Sequence, residues 1–572
     1  MKRIKFNLLA LFALTAIVLS GCGGVDKMKE FAEGTDLKLT PNPLEVHGDI
    51  VKGTISVSFP AKYFNKKALL KVTPVLVYEG GELALESKTL QGQDVQDNHQ
   101  VISYDAGGSV SHDIEFEYKD AMLKSDLELR FVIVYKDKEI AFDEPHKIGV
   151  GVIATSKLVD LTPRAIMLGD KFQRITPVKE EAQINYVVNK SDVRRSELTK
   201  EDIKALEGFI GETVKEERQE FKGVSISAYA SPEGPQALNE KLSEARGKSA
   251  EKWLSDVFKK SKVEKQAGDF VSIQNTAEDW AGFQELVQKS DIQDKELILR
   301  VLSMYSDPDV REKEIRNMSK VFLVLQEKIL PELRRSKMVA NIDVVGYSDE
   351  ELMEMVENNT IEDLNVEEML YAANLCQDQD TKLSIYAKAA EVHKDVRAYN
   401  NVGYINLKNN KVAEAKKALT AASEIESNNA VVKNNLGCVA MLEGDIDNAQ
   451  TLFVGASNAG PEVKYNLGII AIVKNQYPAA VEYLAGTDSF NQGLAMLLTN
   501  KNDAAKNTFQ KVDEAKAFYG LAIVGARIGD ENMVLNNLRT AIGKDASLKK
   551  HVVKDMEFRN YLQNEAFTAI VQ

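Results

Sequence analysis

Residues 223–253 read GVSISAYASPEGPQALNEKLSEARGKSAEKW, and this stretch decides how the middle of the chain folds. Val224, Ile226 and Ala228 alternate with Ser225, Ser227 and Tyr229, the period of a strand with one buried face. Ser231-Pro232-Glu233-Gly234-Pro235 then interrupts regular structure, because Pro fixes the backbone and Gly frees it. Leu238, Leu242, Ala245, Ser249 and Trp253 follow at spacings of three and four, which predicts a helix with these residues turned inward. Asn239, Ser243 and Arg246 fall on a different, polar face. The expectation is a strand–loop–helix unit whose loop and polar face form one shallow site, with an Arg at its end.

Ala228, Tyr229, Ala230, Ser231, Gly234, Asn239, Leu242, Ser243 and Arg246 match the signature positions of the OmpA-like peptidoglycan-binding domain, which this stretch resembles. In that family a loop Asp and the helix Arg grip the ammonium and carboxylate of a diaminopimelate residue in the cell-wall peptide. A zwitterion must be met by opposite charges at its two ends. The resemblance implies a peptidoglycan site at Ser231, Glu233, Asn239, Ser243 and Arg246. Ser231 stands at the Asp position, and Glu233, two residues on, can supply a carboxylate from a different backbone position.

Around this unit an α/β domain is expected over 181–346. Its first strand would be 183–188. A helix would follow, opened by Thr199 and Asp202 spaced as a capping box, with Ile203, Leu206, Ile210 and Val214 inward. A third strand is expected near 270–274 and the last at 339–345, after Arg334-Arg335. Between them, 279–333 reads as helical and exceeds the family's usual length. Its opening, Asn275 to Trp280, resembles a variant in OmpA-type proteins of the Bacteroidetes, and Trp280 reads as core.

Lys2, Arg3 and Lys5 precede an apolar run over 8–19, too short for an ordinary spanning helix. Leu19-Ser20-Gly21-Cys22 resembles a bacterial lipobox. That implies a signal peptide over 1–21, a lipid on Cys22 and a tether over 22–35. Gly23 and the absence of an acidic cluster after Cys22 point to the periplasmic face of the outer membrane. The chain of 572 residues has length for three or four domains. Loss of the signal takes the net charge from −14 to about −17, a surface poorly matched to nucleic acid.

Residues 36–160 read as an all-β sandwich, immunoglobulin-like in pattern. Val51, Gly53, Ile55, Val57 and Phe59 alternate, as do Ile114, Phe116 and Tyr118, and Leu127, Leu129, Phe131, Ile133 and Tyr135, with Gly-rich breaks between. His47, His99, His112 and His146 are scattered without metal-ligand spacing. The acidic passage over 347–364 reads as a solvated linker and helix face.

From 365 to 572 the chain is helical and repetitive. Tyr399-Asn400-Asn401-Val402-Gly403 recurs 34 residues later as Lys433-Asn434-Asn435-Leu436-Gly437, and again as Tyr465-Asn466-Leu467-Gly468. Ala415, Ala449 and Ala480 each lie twelve residues after one of these glycines. Period and offset resemble tetratricopeptide repeats. The resemblance implies a helical solenoid with a protein-binding inner face, on which Asn side chains of the first helices can grip an extended peptide. Gly493 and Gly520 mark shorter repeats, and Cys376 and Cys438 are expected to be buried and free.

No Ser/His/Asp set, metal cluster or phosphate loop has family spacing, so neither an enzyme nor a cofactor is expected. Two readings stay open. In one, a lipoprotein links the outer membrane to peptidoglycan and presents repeats to protein partners. In the other, the protein is an envelope assembly scaffold whose OmpA-like domain no longer binds the wall.

Overall fold

The computed structural model describes residues 25–29, 35–263 and 271–572. Cys22 and the expected signal segment lie outside the described residues. The chain divides into two compact units, one joining the residues up to 168 with 394–572 and the other spanning 169–393. Its β structure lies in three sheets towards the N-terminal side, followed by a helical repeat region.

In the first unit, a four-stranded sheet runs in the order Val152–Ile153, Asp36–His47, Ile50–Phe59, Gly108–Glu117. A seven-stranded sheet is built on Ser125–Tyr135 paired antiparallel with Leu69–Tyr78. Val51, Ile55 and Val57 of one sheet share a core with Leu127, Leu129, Phe131 and Ile133 of the other. The alternation in sequence is thus the inward face of each strand. Met28 is fully buried in this core, and the Tyr63 hydroxyl donates to its carbonyl at 3.0 Å. Residues 25–29, expected as tether, are therefore docked on the sandwich.

The repeats of this unit form helix pairs, beginning with Val396–Lys408 and Val412–Ile425, then Ala430–Leu442 and Ile446–Gly455, then Pro461–Val473 and Tyr477–Tyr483. Phe490–Leu498 with Asn502–Phe509, and Ala515–Ile528 with Glu531–Lys544, complete the series. The repeated glycines sit where paired helices touch. A Cβ on Gly403, Gly437, Gly468 or Gly493 would lie 2.4–2.6 Å from Leu419, Phe453, Leu484 or Phe509, each sixteen residues on. Ala415, Ala449, Ala480 and Ala505 are fully buried beside them.

In the second unit, a sheet runs in the order Ile175–Asn185, Arg335–Val345, Gln219–Tyr229, Val271–Thr276, with only the last two strands parallel. Ala182, Ile184, Val224, Ile226, Met338 and Ala340 face the helices Glu201–Thr213 and Gln236–Ser261. The first strand begins at Ile175, well before the expected 183. The first helix opens without a capping box: Lys200 is its N-cap, and Asp202 instead accepts the backbone N–H of Gln183 at 3.0 Å. Its buried residues include Ile203, Leu206 and Ile210 as expected, but Val214 is exposed. Residues 280–333 form a separate helical cluster around Phe283, Ile298 and Leu325. Trp280 is half-buried against it, edge to face with Phe283 at 5.7 Å.

Two further expectations for this unit are corrected. The helix Gln236–Ser261 buries Asn239, Ser243, Arg246, Ala250, Leu254 and Val257. These positions form a stripe as regular as the expected one, and its C-terminal half is the more apolar, so this stripe turns to the sheet. Leu238, expected inward, is 42 % exposed. The acidic passage is the solvated helix face expected, but less of a linker: it forms the helix Asp349–Glu357 behind a Ser348–Glu351 capping box, with Glu350, Glu354 and Glu357 exposed. Asp349 pairs with Arg174, and Glu351 pairs with Arg218 at 2.8 Å. Those guanidinium groups hold both carboxyls below their usual range.

Candidate functional site

Four first-helix asparagines of the repeats, Asn401, Asn435, Asn466 and Asn491, are fully buried. Each stands two residues before the glycine of its pair, so the close helix approach that the glycine permits also fixes where the amide points. All four grip the same extended segment, residues 159–168, which follows the sandwich in the chain. Asn401 accepts the N–H of Leu168 at 2.8 Å and donates to its carbonyl at 2.8 Å. Asn435 does the same to Ile166 at 2.8 and 2.7 Å. Asn466 holds Arg164 at 2.7 and 2.9 Å, and Asn491 holds Asp160 at 2.9 and 2.8 Å.

A carboxamide offers a donor and an acceptor side by side, as a neighbouring strand does. The asparagines therefore act as a one-sided β-ladder, and the segment runs antiparallel to the order of the repeats. Asn400 and Asn434 reinforce it, donating to the carbonyls of Ile166 and Arg164 at 3.2 and 3.1 Å. Between Asp160 and Arg164 the strap bulges: the Asp160 carboxylate accepts from the N–H and hydroxyl of Thr162, and Leu161 and Thr162 are exposed. Side-chain contacts add selectivity. The Arg164 guanidinium lies 3.7 Å above the Tyr465 ring, and Ala165 and Ile166 pack against the repeat core. Cys438 is buried under this contact, its thiol 3.4 Å from the Arg164 carbonyl and pushed up by burial. Cys376 is also buried and unpaired.

The second place of interest is the loop after Gln219–Tyr229. Ser231 is buried and its hydroxyl donates to Glu233 at 2.7 Å. Glu233 is paired with Arg334 at 2.8 Å, their side chains 15 % and 12 % exposed. Glu233 thus faces Arg334 rather than Arg246. Arg246 is 1 % exposed and donates to the carbonyls of Tyr229 at 2.8 Å and Lys190 at 3.1 Å. Burial draws its pKa down to about 10; Tyr186 and Glu233 oppose that fall and Arg334 adds to it. Burial likewise pushes the Tyr186 hydroxyl up to about 12. Asn239 donates to Gly234 O at 2.9 Å, and Ser243 to Glu240 O at 2.8 Å. The five candidate residues gather around the N-terminal half of the helix, with their polar atoms taken up by the protein's own backbone and by the side chains of Glu233, Glu278 and Arg334. Sequence reasoning missed Arg334 as the partner of Glu233; it lies 101 residues further along the chain.

The histidines are dispersed: His47 is 3.4 Å from the Tyr477 hydroxyl and His112 is 2.7 Å from Glu86 O. Among the described residues no group of three His, Cys, Asp or Glu is placed to hold a metal ion.

With this geometry in view, the repeat region can be classed: it is a tetratricopeptide-repeat scaffold for protein interaction, and the family's sequence profile matches residues 396–429. Solved structures similar to it include YrrB, described as a TPR protein with an unusual peptide-binding site, at 24 % identity over 30 % of this chain and 97 % of that one, TM-score 0.25. Pseudomonas aeruginosa PilF is similar at 14 % identity over 36 % and 98 %, TM-score 0.29. A tetratricopeptide repeat protein from Parabacteroides merdae is similar at 10 % identity over 36 % and 91 %, TM-score 0.29. No curated protein matches the chain.

Proposed function

We propose that the protein is a non-enzymatic scaffold of the bacterial cell envelope. A lipid on Cys22 anchors it to the outer membrane on the periplasmic side. An immunoglobulin-like sandwich and the repeats form one protein-contact unit. The middle domain is OmpA-like, a reading supported by its strand order and the parallel pair at one edge of its sheet, but it does not hold peptidoglycan in the family's manner.

The observation that carries this reading is the state of the two charged groups that would meet a zwitterion. Glu233 is already neutralised by Arg334, and the Arg246 guanidinium is buried on two backbone carbonyls. A ligand would have to break both arrangements, and a charged hydrogen bond is worth about 1.5–3 kcal/mol.

Sedimentation with purified insoluble peptidoglycan tests it. Lipid-free protein is expected to stay in the supernatant. Co-sedimentation that is lost in folded Ser231→Ala and Glu233→Ala variants would restore the wall-linking reading, which Arg246 and Asn239 at family positions favour.

A further inference from the structure

The asparagine ladder has a resident ligand, and that ligand belongs to the same chain. Its recognition is directed at backbone: eight hydrogen bonds run from four carboxamides to the N–H and C=O of Asp160, Arg164, Ile166 and Leu168. The ladder reads backbone at alternate residues over 164–168, with one further grip at Asp160 beyond the bulge. Preference comes from a cation over Tyr465 and an apolar side chain two residues later. When the strap leaves, these carboxamides exchange its backbone for water, so a second extended backbone can replace it with the same hydrogen bonds.

We propose that residues 159–168 are an intramolecular pseudo-ligand, and that the groove is a site for extended peptides of other proteins that opens only when this strap leaves. The strap is held by covalent connection to the sandwich beside the groove, so its effective concentration is of millimolar order. A free peptide making the same contacts loses to it by mass action. Whatever displaces the strap must make the same ladder and better side-chain contacts, such as a longer apolar residue at the Ile166 position or a firmer cation over Tyr465. The proposal does not depend on how the middle domain treats the wall.

The test uses the full chain with Cys22→Ala and a fluorescent peptide of the strap's own sequence, residues 158–170. The wild-type groove is expected to show no saturable binding at probe concentrations up to ~100 μM, well below the tethered concentration. Arg164→Pro with Ile166→Pro removes two ladder N–H groups. That variant should bind the probe at least tenfold more tightly, and Asn435→Leu with Asn466→Leu added should abolish the gain. Equal binding by wild type and the proline variant would overturn the proposal, as would a proline variant of unchanged helix content that ignores the probe. Should the proline variant lose its helices, amide exchange on the wild type decides. Slow exchange at Asp160, Arg164, Ile166 and Leu168 supports a seated strap, and exchange at the rate of an unfolded chain overturns it.

Discussion

Asn435 clasps Ile166 as an adjacent β-strand would, accepting its N–H at 2.8 Å and donating to its carbonyl at 2.7 Å. The same amide also donates to Asn400 at 2.9 Å, so one side chain couples the strap to two successive repeats. Buried polar networks of this kind are stable only when every member is satisfied. The strap is thus part of the fold of the repeats as well as their occupant.

Replacement of Asn435 by Leu should loosen the strap locally. The Ile166 N–H loses its acceptor and the Asn400 Oδ1 loses its Asn435 donor, while the Ile166 carbonyl keeps the Asn400 amide. The expected loss is roughly 1–3 kcal/mol for each orphaned group. Amide exchange at Ile166 should then accelerate about tenfold or more, since ~1.4 kcal/mol is a factor of ten. Exchange in the sandwich strand Ile50–Phe59 should be unchanged. Unaltered exchange at Ile166 would mean that the ladder contributes nothing to seating the strap.

Gly437→Ala should cost stability although Ala is the better helix former. The added methyl would lie 2.6 Å from a ring carbon of Phe453, which is fully buried and closely surrounded. Overpacking of this sort costs typically about 1–3 kcal/mol. Gly543, also in a helix, has no such neighbour within 4 Å, so Gly543→Ala should instead stabilise by about 0.5–1 kcal/mol. Thermal unfolding of the two variants should move in opposite directions. A stabilising Gly437→Ala would show that the paired helices have slack.

Much of this arrangement was legible in the sequence, and the exception is instructive. Helix pairs, the sandwich alternation and the central strands follow from period alone, because hydrophobic period is set by burial of one face. The idea that first-helix asparagines grip an extended peptide was also readable from Asn401, Asn435 and Asn466 before their glycines. The ligand was not. Residues 161–180 fell in no expected domain, because a strap held through its backbone needs no periodic side chains. The ladder's extent was readable in retrospect. Asn491 precedes Gly493 by the same two residues, whereas Phe518 occupies that position before Gly520, and there the ladder ends. On the helix Gln236–Ser261 two stripes competed. Polar residues at Asn239, Ser243 and Arg246 hid the buried one, since their satisfaction by distant backbone atoms is invisible to a count of apolar spacing.

Asp555, at the start of the turn Met556–Tyr561 beyond the last helix pair, carries a pH signature. It is 2 % exposed and accepts the Tyr519 hydroxyl at 2.6 Å and the Glu557 N–H at 2.9 Å. Burial raises its pKa above the ordinary 3.8, with the nearby Glu557 adding to the rise, while the hydrogen bonds and His551 oppose it. A carboxyl whose folded pKa is raised contributes stability that is full below the unfolded value and is lost as pH rises through the folded value. Asp555→Asn removes the charge; its single carbonyl oxygen can still accept the Glu557 N–H, and its amide NH2 can donate to the Tyr519 oxygen in place of accepting from it. It should therefore be more stable than wild type at neutral pH, and the gap should close as pH falls toward about 3.8. Chemical denaturation across that range is the measurement, and a gap that widens toward acid would contradict the sign.

The loop around Ser231 separates the two envelope readings by stability. In the OmpA-like family the Ser231 position holds an Asp, and on the wall-gripping reading Ser231→Asp restores a binding charge. Here the Ser231 hydroxyl is buried and donates to Glu233 at 2.7 Å, and Arg334 is the paired cation at 2.8 Å. An Asp carboxylate in that place loses the donor and sets a second negative charge against Glu233. Like charges at such range disfavour ionisation of one of them, so one carboxyl would titrate high. The variant should lose about 1–3 kcal/mol of stability at pH 7, as buried uncompensated charges do. It should recover part of that loss near pH 5, where the proton is more easily taken up. Ser231→Asn, which can still donate to Glu233, should lie close to wild type at both values. Thermal unfolding at pH 7 and pH 5 reads the difference. A Ser231→Asp protein as stable as wild type that also gains sedimentation with peptidoglycan would mean that Arg246 and Arg334 can serve two acids and a ligand together, and the wall-linking reading would then replace the scaffold.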